Sequence, residues 1–189
     1  MLITVLVVWS VRSWNVVNLE STADTQNVYS DSIEIALIFI GCSFCPSAND
    51  KNLPKVIEDI SNVVEAWALT NNVGYTTVGL SNETDINIGL EYLTSVYTFD
   101  EIALGNAMKN IALQEYVWNR FDSPNAGATP QVLISKRSFK PWEDGQEEIE
   151  RIFPAIEKET ILIRQIGLKD IQRLLENNFI EKVLGDLST

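Results

Sequence analysis

The chain has 189 residues, 46% of them hydrophobic, and carries 14 Lys and Arg against 26 Asp and Glu for a formal charge of −12. That length suffices for one domain burying about 70% of its unfolded surface, and that charge argues against nucleic acid as a partner. The absence of histidine removes imidazole acid–base chemistry, Ser-His-Asp hydrolysis and imidazole metal sites.

Residues 1–32 read as an N-terminal segment ahead of a domain at 33–189. The stretch Met1-Leu2-Ile3-Thr4-Val5-Leu6-Val7-Val8-Trp9 lacks the basic n-region and the small-x-small site of an export signal. Arg12, Ser13 and Asn15 interrupt it before the roughly 20 residues that span a bilayer. A first strand or amphipathic helix is expected, with a degenerate export signal or membrane anchor as the alternative. A cytoplasmic location is accordingly favoured over a periplasmic or membrane-anchored extracytoplasmic one.

Ile33 to Ile40, apolar apart from Glu34, predicts a strand buried on both faces. From Pro46 the pattern turns helical, with Leu53, Val56, Ile57, Ile60, Val63, Val64 and Trp67 on one stripe and Pro54 as a possible kink. Asn71-Asn72 stops this helix and residues 73–80 predict a second strand. The polar cluster Ser81-Asn82-Glu83-Thr84 opens a short helix, and Asp100 caps a longer one through about Arg120 on the spacing of Leu104, Met108, Ile111, Ala112, Glu115 and Trp118. Ser123 to Gly127 is a loop, and Thr129-Pro130 opens a strand at 131–134. Lys136 to Gly145, including Trp142, Glu143 and Asp144, is expected as a hairpin or loop, Gln146 to Phe153 as a short helix, and residues 160–166 as a strand. Gly167 precedes a final helix with Leu168, Ile171, Leu174, Leu175 and Phe179 on one face.

The only two cysteines, Cys42 and Cys45, follow the first strand with two residues between them. A thiol reacts as its thiolate, and the unpaired N–H groups of a helix start lower its pKa. Cys42 is therefore expected as the exposed nucleophile and Cys45 as the shielded, resolving thiol. Two other readings stand beside this redox pair: a zinc site of four thiolates shared across a dimer, and two inert core cysteines.

The ordered series of Ile-rich strand, Cys42-Ser43-Phe44-Cys45, helix, strand, and Thr129-Pro130 opening a further strand before a last strand and helix resembles the thioredoxin superfamily over residues 33–180. The resemblance implies an α/β thioredoxin-like fold with a central mixed sheet of four to five strands flanked by helices. It implies a cis peptide at Thr129–Pro130 facing the cysteines, with Thr129 and Pro130 joined by Ser43 and Phe44 as substrate-binding residues. Exchange with protein thiols and disulfides is the implied activity, with no cofactor and no metal. A redox-inactive binding module of the same fold is the alternative.

The chain departs from thioredoxins proper at Gly41 and Ala36, where they carry a Trp and a buried Asp. It is similar to glutaredoxins at Phe44 and residues 130–134, without the Gly-Gly and Asp that hold glutathione. Pro130 lies 88 positions after Cys42, about twice the interval of a minimal thioredoxin, which places a helical insertion at about 81–125. Glu34 is a candidate for the missing carboxylate near Cys45, or a strand-end charge. Lys136, Arg137 and Lys140 either border the site and steer acidic partners or lie on a solvated hairpin. Phe39 stands where a peroxiredoxin needs Thr, which disfavours peroxide reduction.

Overall fold

The computed structural model of the chain describes residues 33–119, 127–140 and 155–187. The N-terminal segment, the loop at 123–126, the Trp142-Glu143-Asp144 stretch and the helix expected at Gln146 to Phe153 lie outside them.

Strand β1 (Ile33–Gly41) sits in the middle of a five-stranded sheet of order β3-β2-β1-β4-β5. It runs parallel to β2 (Gly74–Ser81), which in turn pairs parallel with the short β3 (Glu101–Ala103). On its other side β4 (Gln131–Phe139) is antiparallel, as is β5 (Ile156–Ile166) against β4. The unbroken apolar run of β1 reflects burial on both faces. Ile35, Leu37 and Phe39 enter one core with Ile57, Ile60 and Val64 of helix α1 (Leu53–Thr70) and Leu93 of α2 (Ile86–Val96). Ala36, Ile38 and Ile40 face the other, against Leu113, Tyr116 and Val117.

Helix α1 carries β1 to its parallel neighbour, and Ser61, buried within it, bonds the hydroxyls of Tyr75 and Tyr97 at 2.9 Å each. The helix does not start at the cysteines as expected. Pro46–Asn49 is a 3-10 turn that Asp50 ends in extended backbone, so α1 begins only at Leu53. Pro54 falls in the first helical turn, where a missing N–H costs no intrahelical bond, and makes no kink. Helix α2 is capped by the Asp85 carboxylate, which accepts from the amides of Asn87 and Ile88.

The helix expected at 100–120 is replaced by β3 and a series of short turns. The Asp100 carboxylate accepts from the amide and hydroxyl of Thr77 at 2.8 and 2.7 Å, and the Asp100 amide donates back to the Thr77 hydroxyl at 2.9 Å. This knot lays the next residues along β2 as an edge strand. Gly105 and Asn106 then take φ of 95° and 55°, conformations no α-helix admits. After a 3-10 turn at Ala107–Lys109, helix α3 (Ile111–Leu113) passes into a π-helical turn at Gln114–Asn119. The final helix is also divided, into α4 (Leu168–Arg173) and α5 (Phe179–Gly185), by Asn177 and Asn178 at positive φ.

Glu34, Arg137 and Glu159 are direct neighbours across β1, β4 and β5. Arg137 is only 5% exposed; it donates to Glu159 at 2.9 Å and to Glu34 at 3.1 Å, and to the Tyr116 hydroxyl at 3.2 Å. This network decides two readings that the sequence left open. Arg137 is a buried ion-pair partner and not part of a site-bordering patch, since β4 runs away from Pro130 and brings Lys136 beside Ile35. Glu34, at the far end of β1 and some eight residues or roughly 26 Å from the cysteines, is held by Arg137 and is not the site carboxylate.

Candidate functional site

β1 and β2 are parallel, so the loops that follow them emerge at the same end of the sheet. The Asn82 amide joins them by donating to the Gly41 carbonyl at 2.9 Å. Position 41 has no room for a side chain: a Cβ there would stand 2.7 Å from the Tyr92 ring and 2.8 Å from that of Phe39. Glycine lets β1 end directly beneath α2, and Cys42 follows in line with the buried strand.

Cys42 and Cys45 form a disulfide with their Cα atoms 5.7 Å apart. The turn that brings them together is held from several sides. The Cys45 amide donates to the Cys42 carbonyl at 3.4 Å, and the Ala48 amide to the Cys45 carbonyl at 3.0 Å. Asn49 donates its side-chain amide to the carbonyls of Ser43 and Cys45. From α2, the Tyr92 hydroxyl donates to the Ala48 carbonyl at 2.9 Å. Burial, with the nearby Glu83 carboxylate, pushes the Tyr92 phenol well above its ordinary range, so it remains a neutral donor.

Thr129 supplies the polar group nearest the sulfurs. Its hydroxyl oxygen lies 2.8 Å from Cys45 Sγ, to which it donates, and 3.0 Å from Cys42 Sγ. Oxidised sulfurs carry no hydrogen, so this hydroxyl holds the one proton shared among the three atoms. The Thr129–Pro130 peptide is cis and Pro130 is buried. The Ser47 hydroxyl donates to the Thr129 carbonyl at 3.1 Å, and the Gly167 amide to the Pro130 carbonyl at 2.8 Å. The four residues Cys42, Cys45, Thr129 and Pro130 are thus brought together at one end of the sheet. Phe44 projects outward, 65% exposed, at the rim of a cleft of about 410 Å³ that Glu83, Asp85 and Ile88 also line.

Two expectations about the sulfurs are reversed. Cys42 has 0% exposure, whereas Cys45 is half-buried between exposed neighbours at Phe44 and Pro46. The strand from which Cys42 emerges is sandwiched between layers, while Cys45 has already turned outward. Nor does an α-helix start at Cys42; Cys45 occupies the position ahead of the 3-10 turn, and α1 begins eight residues further on.

Glu83 is the site residue that sequence reasoning missed. It is 7% exposed, and its Oε1 accepts from the Ser43 amide and the Ser43 hydroxyl at 2.6 Å each. Read as one of a helix-capping cluster, it stands instead two residues beyond β2. The signal was available: an acid just past the end of a strand predicted to be parallel to β1 must lie at the cysteine end. Among the described residues, no group of three or more His, Cys, Asp or Glu is arranged to hold a metal ion, and no helix is long and apolar enough to cross a membrane. No protein-family model, curated protein or solved structure matches the chain.

Proposed function

We propose that the chain is a thioredoxin-like thiol–disulfide oxidoreductase that exchanges its Cys42–Cys45 pair with the thiols and disulfides of partner proteins. The observation that carries this reading is the Thr129 hydroxyl within 3.0 Å of both sulfurs. A structural disulfide gains nothing from a donor poised against it, whereas a sulfur that must leave as a thiolate is stabilised by one. The mixed sheet with the cysteine pair at the end of its central strand is compatible with the thioredoxin-like fold and supports the same reading.

The exchange conserves atoms and electrons. A partner thiolate bonds to one sulfur of the pair, the Cys42–Cys45 bond breaks, and the other sulfur departs as a thiolate. A second partner thiolate then attacks the partner sulfur of the mixed disulfide. The partner gains a disulfide, the pair becomes a dithiol, and two electrons and two protons have moved; the reverse sequence reduces a partner.

Equilibrating the chain in glutathione buffers of graded potential, with acid quench and thiol alkylation, tests the reading. A single two-electron transition is expected, and Cys42→Ser and Cys45→Ser are each expected to abolish turnover of a disulfide-bonded protein substrate. A pair locked in one state across the buffers, or turnover that survives either substitution, would sink the reading and leave a binding module.

A further inference from the structure

Resting on the exchange reaction proposed above, we infer that the cleft beside the pair selects partner segments that carry a basic residue next to the reacting cysteine. The occupant is a lysine or arginine side chain of the partner, with its charged head on Glu83 and Asp85 and its aliphatic stem on Phe44 and Ile88.

The cleft, of about 410 Å³, lies between the turn that holds the cysteines and the loop that leads from β2 into α2. It is continuous with the reactive turn. Phe44, at its rim, stands between the two cysteines, and Glu83, in its wall, holds Ser43 of the same turn at 2.6 Å. A partner whose cysteine engages the pair brings its neighbouring residues to this cleft.

The lining offers apolar surface and acceptors, and no basic side chain belongs to it among the described residues. Phe44 and Ile88 are both exposed. Glu83 is buried, so its carboxylate has lost most of its water. Its bonds from Ser43 come from neutral donors and both fall on Oε1, which leaves Oε2 without a partner among the described residues. Asp85 accepts the first amides of α2 on Oδ1 alone. Neither carboxylate joins an ion pair among the described residues. Asn82 also lines the cleft, and its side-chain carbonyl is buried with no donor.

A buried carboxylate that faces no cation gains most from one that brings hydrogen bonds with it. A basic side chain meets every feature of this surface. Its head donates to several acceptors, its methylenes cover apolar carbon, and a guanidinium lies well on an aromatic face. The formal charge of −12 draws cationic segments toward the whole molecule, but the cleft sets one beside the pair. An acidic residue in the same place meets two carboxylates and is rejected.

The test uses the reduced full-length chain and disulfide-linked dimers of a short capped peptide that differ only in the residue before the cysteine: arginine, norleucine or glutamate. For each dimer cleaved to two peptide thiols, the Cys42–Cys45 dithiol becomes a disulfide. Each rate constant is divided by that for dithiothreitol, an uncharged reductant that reports the reactivity of the peptide itself. After this correction the arginine peptide is expected to react about tenfold faster than the glutamate peptide, with norleucine between them. Asp85→Asn keeps the cap of α2 and removes a cleft charge, and is expected to reduce the ratio to about threefold. Glu181→Gln removes an equal charge on α5 and leaves the ratio near its original value. Ile88→Lys, at an exposed position, sets a cation in the cleft and is expected to abolish the preference, which keeps the inference testable if Asp85→Asn does not fold. Equal corrected rates in the unsubstituted chain, a ratio that falls as far in Glu181→Gln as in Asp85→Asn, or a preference untouched by Ile88→Lys overturns the inference and leaves the oxidoreductase reading standing. A chain that reduces none of the peptides overturns both.

Discussion

Thr129 and Glu83 act on the cysteine pair with opposite sign. The Thr129 hydroxyl donates toward the sulfurs, and hydrogen bonds to a charged group contribute about 1.5 to 3 kcal/mol. Thr129→Val removes that support for the thiolate, so the disulfide becomes harder to reduce. A potential about 30 to 60 mV more negative is expected, at roughly 30 mV per 1.4 kcal/mol. Glu83 sets a carboxylate against the amide that follows Cys42, and negative charge there disfavours a thiolate. Glu83→Gln keeps an acceptor for Ser43 while removing the charge, and is expected to move the potential the other way, on the order of 30 mV. The glutathione titration reads both variants; shifts of the same sign would show that the two side chains act only by holding the turn together.

The elements around the site depend on close approaches that particular glycines permit. At Gly79 in β2, an added Cβ would stand 2.6 Å from the Phe99 ring, which itself stacks on Phe39 with centroids 5.9 Å apart. Gly79→Ala therefore overpacks the layer between sheet and α2, and a loss of about 1 to 3 kcal/mol is expected from the urea midpoint. Gly185, at the end of α5, has nothing within 4 Å of the added carbon. Gly185→Ala is expected to leave stability unchanged or raise it by about 0.5 to 1 kcal/mol through the helix preference of alanine. The strands with steady apolar periodicity, β1 and β5, were legible in the sequence to within a few residues, as was the end of α1, whose start falls seven residues later than Pro46. The segment after Asp100 was not, because its apolar spacing fits a helix while its course is decided by the Thr77–Asp100 knot and by Gly105 and Asn106. Thr77 and Asp100 lie 23 positions apart, beyond what a local pattern can register.

Across the whole molecule, the charge network at the opposite end of the sheet from the cysteines couples three strands and responds to pH. For Glu159, burial raises the carboxyl pKa, but bonds from Arg137, Ser135 and Tyr116 and the Arg137 charge outweigh it, leaving it below its ordinary value of 4.5. Its contribution to folding is fully present above about pH 4.5 and is lost as pH falls through the lower folded value. For Glu34, burial prevails over Arg137 and leaves the carboxyl above 4.5, so its ionisation opposes folding and that penalty fades as pH falls through the raised value. Glu159→Gln leaves Arg137, 5% exposed, without its most buried partner. At pH 7 it is expected to cost about 3 to 5 kcal/mol, as broken buried pairs do. Urea melts taken stepwise from pH 7 to pH 3 should show that gap narrowing only below about pH 4.5. For Glu34→Gln the wild-type advantage should instead grow as pH falls toward 4.5. A constant gap for Glu159→Gln over the full range would contradict the linkage.

The sequence by itself determined the buried central strand, the cysteine pair at its carboxyl end, the crossover through α1, and a strand opening at Pro130, because each is written in local periodicity and turn chemistry. Only the tertiary structure decided that Glu83 joins the pair, that Cys45 rather than Cys42 meets solvent, and that Arg137 is buried between Glu34 and Glu159. Those outcomes rest on strand order and on which layer covers each residue. Pairing β1 with β2 brings position 83 to position 43, and pairing β1 with β4 sets Arg137 beside Glu34. Adjacency of that kind arises from burying all the apolar faces at once, and no single stretch of the chain carries it.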